Sequence, residues 1–222
     1  MKRMSVVFVF LSCCLLFSSC LKEEGTDQPM YVSYGMVEND YPNAVILTDE
    51  GTSLQIVPES MPTGLRDGMR VLVNYLKITE YSETSYLARL VEIRELLLKS
   101  PIDWTNPSTP DNYGDDPVGE IQMAISERYL NIMVTYSYSM VDNHTFNLLL
   151  KQYDAQSNTL YYEFRHKSQD LAYLYTGNEV ISFDLSGAVP SNKTSVNVEI
   201  RWMGSGDQPR TKTGVYDYIP AP

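Results

Sequence analysis

The sequence predicts an all-β protein, a small OB-like barrel followed by an antiparallel β-sandwich. Three observations carry that expectation. Short strand-like runs separated by Asp-Gly and Glu-Gly turns fill residues 30–100, a stretch with four prolines interrupts the chain at 101–117, and apolar residues then recur with period two in five successive segments.

Residues 1–19 come first and are expected to be lost. Lys2 and Arg3 precede an almost wholly apolar run from Met4 to Phe17, and Ser18 and Ser19 are small enough for a signal peptidase cleft. The apolar run is shorter than the roughly 20 helical residues that cross a bilayer core. The arrangement resembles a bacterial lipoprotein signal, which is cut before Cys20 and lipidated on its sulfur, with Phe17 where a branched residue is usual. A plain secreted protein with an odd cysteine is the alternative. Lys22, Glu23 and Glu24 resemble the export signal that moves some Gram-negative lipoproteins to the outer face of the outer membrane, the alternative being an ordinary solvated tether over 20–29. The expected address is therefore the outer membrane, held through lipid on Cys20 and facing the exterior.

Cleavage removes Cys13 and Cys14, so the mature chain has no second thiol, and disulfides, thiolate nucleophiles and zinc–cysteine sites drop out. A chain of about 200 residues buries about 70% of its surface and does not depend on them. Without Lys2 and Arg3 there remain 15 basic against 28 acidic side chains, a charge of −13. Phosphate backbones would be repelled, and no nucleic-acid partner is expected.

The first block, 30–100, contains "MYVSYGMV", then "NAVILTDEGTSLQIV" with a turn at Asp49-Glu50-Gly51, then "MRVLVNYLKIT" entered through Asp67-Gly68, and "SYLARLVEI". Five short strands in about 70 residues suit a barrel of the OB type. Leu87, Leu90, Val91, Leu97 and Leu98 also fit a helical stripe, and 85–94 is read as strand. Residues 101–117 read as a linker, which limited proteolysis should cut.

In the second block, 118–222, "GEIQMAI" leads into five alternating segments. Their apolar faces are Leu130, Ile132, Val134, Tyr136 and Tyr138; Phe146, Leu148 and Leu150; Leu160, Tyr162 and Phe164; Ile181, Phe183 and Leu185; and Val196, Val198, Ile200 and Trp202. Half-buried strands of this kind build a sandwich.

"GDDPVGEIQMAISERYLNIMVTY", "HTFNLLL", "LYYEFRHKSQD" and "VISFDLSG", in this order and spacing, resemble the C-terminal sandwich of NigD-like lipoproteins. "YGMVENDYPNAVILTDEG" and "LRDGMRVLVNY" resemble that family's N-terminal OB-like domain. The resemblance implies the fold and the address, and a link to bacteriocin immunity by operon context. It implies no enzymatic activity, and a mechanism must come from a site.

The residues favour no catalytic site. There is no G-x-S-x-G, and the only histidines are His144 and His166. "GSGD" at 204–207 reads as a hairpin turn rather than a phosphate loop. Asp111 to Asp116 offer hard oxygen ligands for Ca²⁺ but lack EF-hand spacing, and a solvated turn is the simpler reading. No pair of carboxylates stands out for glycoside cleavage. Seventeen tyrosines suit cross-strand packing, and an exposed subset near "LAYLYTGN" suits a contact site. The preferred reading is a non-catalytic surface binding protein for an unknown protein or glycan, with no cofactor; a secreted hydrolase with an acid or histidine site is the alternative.

His144 and His166 are the candidate polar pair. Parity puts both on core-side rows, and a hairpin centred at Ala155 would set them directly opposite each other, with Leu148 against Tyr162 and Phe146 against Phe164. Asp142 and Asp170 lie a few residues away. Such a pair would be a zinc site or a hydrogen-bonded closure of the core, and a slip of two residues would separate the rings.

Overall fold

A computed structural model describes residues 28–108, 111–126, 128–139, 144–169, 174–188 and 194–217. The signal segment, Cys20, Lys22, Glu23, Glu24, Asp142 and Asp170 lie outside these residues.

Five strands, β1 (Met30–Glu38), β2 (Val45–Thr48), β3 (Ser53–Ile56), β4 (Arg70–Ser82) and β5 (Ser85–Glu95), close a barrel in the order β1-β2-β3-β5-β4. Their inward positions, among them Val37, Ile46, Leu54, Val71, Val73 and Ala88, form the first core. Gly51, at φ +77°, makes the turn between β2 and β3, where a side chain would be strained. At Gly35 a Cβ would stand 2.8 Å from Ile46 Cγ2 and from the Leu47 carbonyl, so glycine lets β1 lie close on β2. The segment with the helical stripe is the strand β5, hydrogen-bonded to β3 on one side and β4 on the other. The stripe arises because its last two leucines, Leu97 and Leu98, belong to a different strand in a different sheet.

That strand is β6 (Leu97–Lys99), followed by β7 (Ile102–Asp103), β8 (Ile121–Ser126), β9 (Tyr129–Tyr138), β10 (Thr145–Asp154), β11 (Thr159–Lys167), β12 (Tyr175–Asp184), β13 (Ser195–Gly204) and β14 (Gln208–Asp217). They form two sheets, β14-β13-β11-β10-β7 and β6-β12-β9-β8. The ladders are antiparallel except for β11 with β13, β10 with β7 and β12 with β6, which run parallel. Between the sheets lies the second core, with Leu130, Ile132, Leu148, Phe164, Phe183 and Trp202 among its members. The five apolar rows read from the sequence supply most of it. "GSGD" is the hairpin turn between β13 and β14.

The expected boundary at residue 100 and linker at 101–117 fall inside the sandwich. β6 already pairs with β12. Past β7, Trp104 is buried and donates its backbone N–H to the Leu150 carbonyl at 2.8 Å. Asp116 N–H donates to the His166 carbonyl and Val118 N–H to the Met203 carbonyl, each at 2.9 Å. Prolines keep this segment irregular, but the backbone amides of Trp104, Asp116 and Val118 find partners on the sheet rather than in water.

Barrel and sandwich meet across the outer face of β9 and β12. Arg70, at the start of β4, buries its side chain fully and donates from all three nitrogens: Nη1 and Nη2 to the two Asp49 carboxylate oxygens at 2.5 and 2.6 Å, Nη2 also to Asn131 Oδ1 at 3.1 Å, and Nε to Ser182 Oγ at 3.2 Å. Its guanidinium lies 3.9 Å from the centre of the Tyr129 ring. The Ser182 hydroxyl donates to Asn131 Oδ1 at 2.6 Å, Asn131 Nδ2 donates to Ser126 Oγ at 3.0 Å, and the Ser126 hydroxyl donates to Asp49. The network is closed.

Candidate functional site

At one end of the sandwich, β9, β10, β11 and β12 bring a run of aromatic rings together. Tyr175 lies against Tyr138 with centroids 5.5 Å apart, Tyr138 against Tyr136 at 6.2 Å, and Tyr136 against His144 at 4.6 Å. The His144 and His166 rings lie nearly parallel, centroids 5.0 Å apart and planes 10° apart, and Phe146 lies over His166 at 4.9 Å. Tyr175, of the "LAYLYTGN" stretch, is exposed. Its neighbours 171–173 are outside the described residues.

The histidines meet, but not as the simple hairpin predicts. Asp154 pairs with Thr159, which moves the turn toward the C-terminus, and the register shifts between Leu150 and Gln152. Phe146 is therefore the direct partner of His166, Leu148 faces Phe164 and Leu150 faces Tyr162. His144 sits two residues out of line with His166. The slip does not separate the rings, because diagonal neighbours on one face remain within reach of aromatic side chains. His144 Nδ1 and His166 Nε2 are 2.7 Å apart, so one ring donates a proton to the other.

His166 is buried at 3% exposure. Burial, reinforced by His144, pushes its pKa down to about 4, against a smaller upward pull from the backbone and carboxylate of Asp116. The ring therefore stays neutral at physiological pH. Among the described residues no group of three metal-ligating side chains gathers, and Asp142 and Asp170, the carboxylates named for the zinc alternative, lie outside them. The Asp111–Asp116 turn is also engaged otherwise: Arg165 holds Asp111 and Asp115, each at 3.2 Å, and Asp116 accepts the Ser168 N–H at 2.7 Å.

Beside the histidines opens a groove of about 480 Å³, within the usual range for ligand pockets. Lys99 of β6, His144, and Thr145 and Asn147 of β10 form one part of its wall; Asn112, Tyr113, Lys167 and Gln169 complete it. Tyr113 is set edge-on to the buried Trp104, centroids 5.3 Å apart. Lys99 Nζ donates to the Phe146 carbonyl at 2.6 Å and to Asn147 Oδ1 at 2.7 Å, and its partial burial lowers its pKa. Lys167 Nζ donates to the Asn112 carbonyl at 3.1 Å. Sequence reading found the histidines through strand parity. It missed the lysines and carboxamides, which converge from four segments with no shared spacing.

Comparison with known proteins agrees with this architecture. Residues 100–213, just over half of the chain, match the family model of the NigD-like C-terminal β-sandwich domain. No curated protein matches the chain. Among solved structures, a Parabacteroides distasonis protein designated toxin-related aligns with a TM-score of 0.67 at 24% identity, over 85% of this chain and 94% of its own. A NigD-like immunity protein from Bacteroides caccae aligns at 0.66 and 14% identity, covering 86% and 97%. A Bacteroides fragilis protein designated a lipoprotein aligns at 0.64 and 13%, covering 87% and 100%. With its C-terminal half matched by the family model and a barrel-plus-sandwich architecture like that of these structures, the chain belongs to the NigD-like family.

Proposed function

We propose that this protein is a lipid-anchored binding protein of the outer-membrane surface, without catalytic chemistry, whose sandwich rim meets its partner. The observation that carries the reading is the rim groove, where polar side chains from several segments face an open concavity beside the hydrogen-bonded histidine pair. His166 is neutral, buried, hydrogen-bonded to His144 and covered by the Phe146 ring, an environment that holds a core closed rather than one that presents a base. The signal-like segment and Cys20 support the anchor, and more than one acyl chain makes such attachment stable. The immunity designation of one structural relative supports a protective role, in which binding of a toxic protein or of its surface receptor would be the working step.

Two experiments test the reading. Cells grown with a labelled fatty acid should label the wild-type protein and not Cys20→Ala; equal labelling would refute the anchor. Affinity capture from native membranes should recover a partner with the wild type, and the same capture should fail once the groove is blocked by Asn147→Trp. Capture that ignores the groove would move the binding face elsewhere.

A further inference from the structure

We infer that the rim groove takes an acidic saccharide, with Lys99 and Lys167 meeting the sugar carboxylate and the carboxamides of Asn112, Asn147 and Gln169 meeting hydroxyls. The inference rests on the binding role proposed above and gives it a ligand class.

Charge is the first argument. The chain carries −11, yet among the described residues the groove walls hold two lysines and no carboxylate. The described acids of the 111–116 turn are already engaged, Asp111 and Asp115 by Arg165 and Asp116 by the Ser168 N–H. Among the described residues no carboxylate pairs with Lys99 or Lys167. Lys99 is also held in place: two of its three ammonium protons go to the Phe146 carbonyl and Asn147 Oδ1, which leaves one for a ligand. A half-buried cation with one proton left over favours an anion strongly, because a charge-assisted bond there is less screened than on an open surface.

The neutral part of the wall selects among anions. Carboxamides donate and accept, as sugar hydroxyls do. The Tyr113 ring, steadied by Trp104, supplies an aromatic body with a polar tip for the less polar face of a sugar. An acidic peptide fits less well. Among the described residues β7 pairs only with Leu149 and Leu150 and leaves the preceding half of β10 as a sheet edge, but Lys99 covers its Phe146 carbonyl and obstructs main-chain pairing. The walls also offer no apolar pocket for a side-chain anchor.

The test is a titration of the purified mature chain with trigalacturonic acid and sialyllactose. Their uncharged counterparts, the galacturonate methyl ester and lactose, and a triglutamate peptide serve as comparisons. Binding is read by calorimetry and by the ring resonances of His144 and His166. At least one acidic sugar should bind, move those resonances, and lose affinity as salt rises. Its uncharged counterpart should bind about tenfold more weakly. Lys167→Met should weaken the acidic sugar by a similar factor with an unchanged melting temperature, and Lys99→Met should weaken it at least as much. Since Lys99 also covers a backbone carbonyl, the exposed Lys167 keeps the test valid if Lys99→Met folds poorly. Equal binding of charged and uncharged sugars, tighter binding of triglutamate, or binding by none of the probes would overturn the inference. Partner capture from native membranes through the same groove would in that last case leave the binding role standing and remove only the ligand class.

Discussion

At the seam between barrel and sandwich the Arg70 side chain has no exposure, and each of its nitrogens donates to a side chain of the protein itself. At the rim Lys99 is half-buried, donates to two acceptors and keeps a third proton for the groove. Arg70 is held by a carboxylate and two neutral side chains, Lys99 by a backbone carbonyl and a carboxamide. The difference is completion. A closed buried network fixes one arrangement of two bodies, whereas an incomplete one at an opening has capacity for something from outside. Arg70, Asp49, Asn131, Ser126 and Ser182 therefore read as structure, and Lys99 and Lys167 as recognition.

The largest expected effect lies at the seam. Arg70→Met leaves the Asp49 carboxylate buried and unpaired, and should cost about 3–5 kcal/mol in urea unfolding. Adding Asp49→Leu should recover part of that loss, because both charges are then gone. If Arg70→Met alone were neutral, the seam would not be holding the two bodies together.

The histidine pair gives the next effect, and its sign is fixed. Unfolded, His166 takes up a proton near its ordinary value of 6.5; folded, it stays neutral until about 4. The unfolded state thus binds more protons in that window, so stability is full above pH 6.5 and falls as pH drops toward 4, by up to roughly 3 kcal/mol. Unfolding free energies measured across that range should show the fall, and His166→Leu should flatten it. A slope unaffected by His166→Leu would place the titrating group elsewhere.

Exposed pairs should matter least. Arg66 meets Glu95 at 3.3 Å with both side chains more than half exposed, and Arg66→Ala should change stability by less than about 1 kcal/mol. Arg94 meets Glu179 across the seam at 2.8 Å but is 41% exposed, and Arg94→Ala should fall in the same low range. A loss at Arg94 comparable to that at Arg70 would mean that charge rather than closure holds the seam.

The fold was largely legible because its signal is local. Period-two rows such as Val196, Val198, Ile200 and Trp202 mark their own faces, and turn glycines such as Gly51 mark their own ends. The division of the chain was less legible: composition marks 101–117 as irregular, but irregular backbone can lie on a sheet, as Trp104 does. The histidine meeting was reached through parity, while its register depended on an irregularity near Lys151 that no residue type announces. Asp49 shows the limit most plainly. It reads as a turn former, and it is one, yet its carboxylate is the buried partner of a guanidinium 21 residues away. Long-range partners of that kind, and the lysines of the groove, follow from topology and carry no spacing of their own.

The most direct test of the rim as the binding face is photo-crosslinking on living cells. A diazirine amino acid placed at Lys167, in the groove, is compared with the same group at Tyr81, which is exposed on the barrel. The account predicts covalent adducts with a surface component from position 167 and few from position 81. Adducts from position 81 alone, or from neither position, would contradict it.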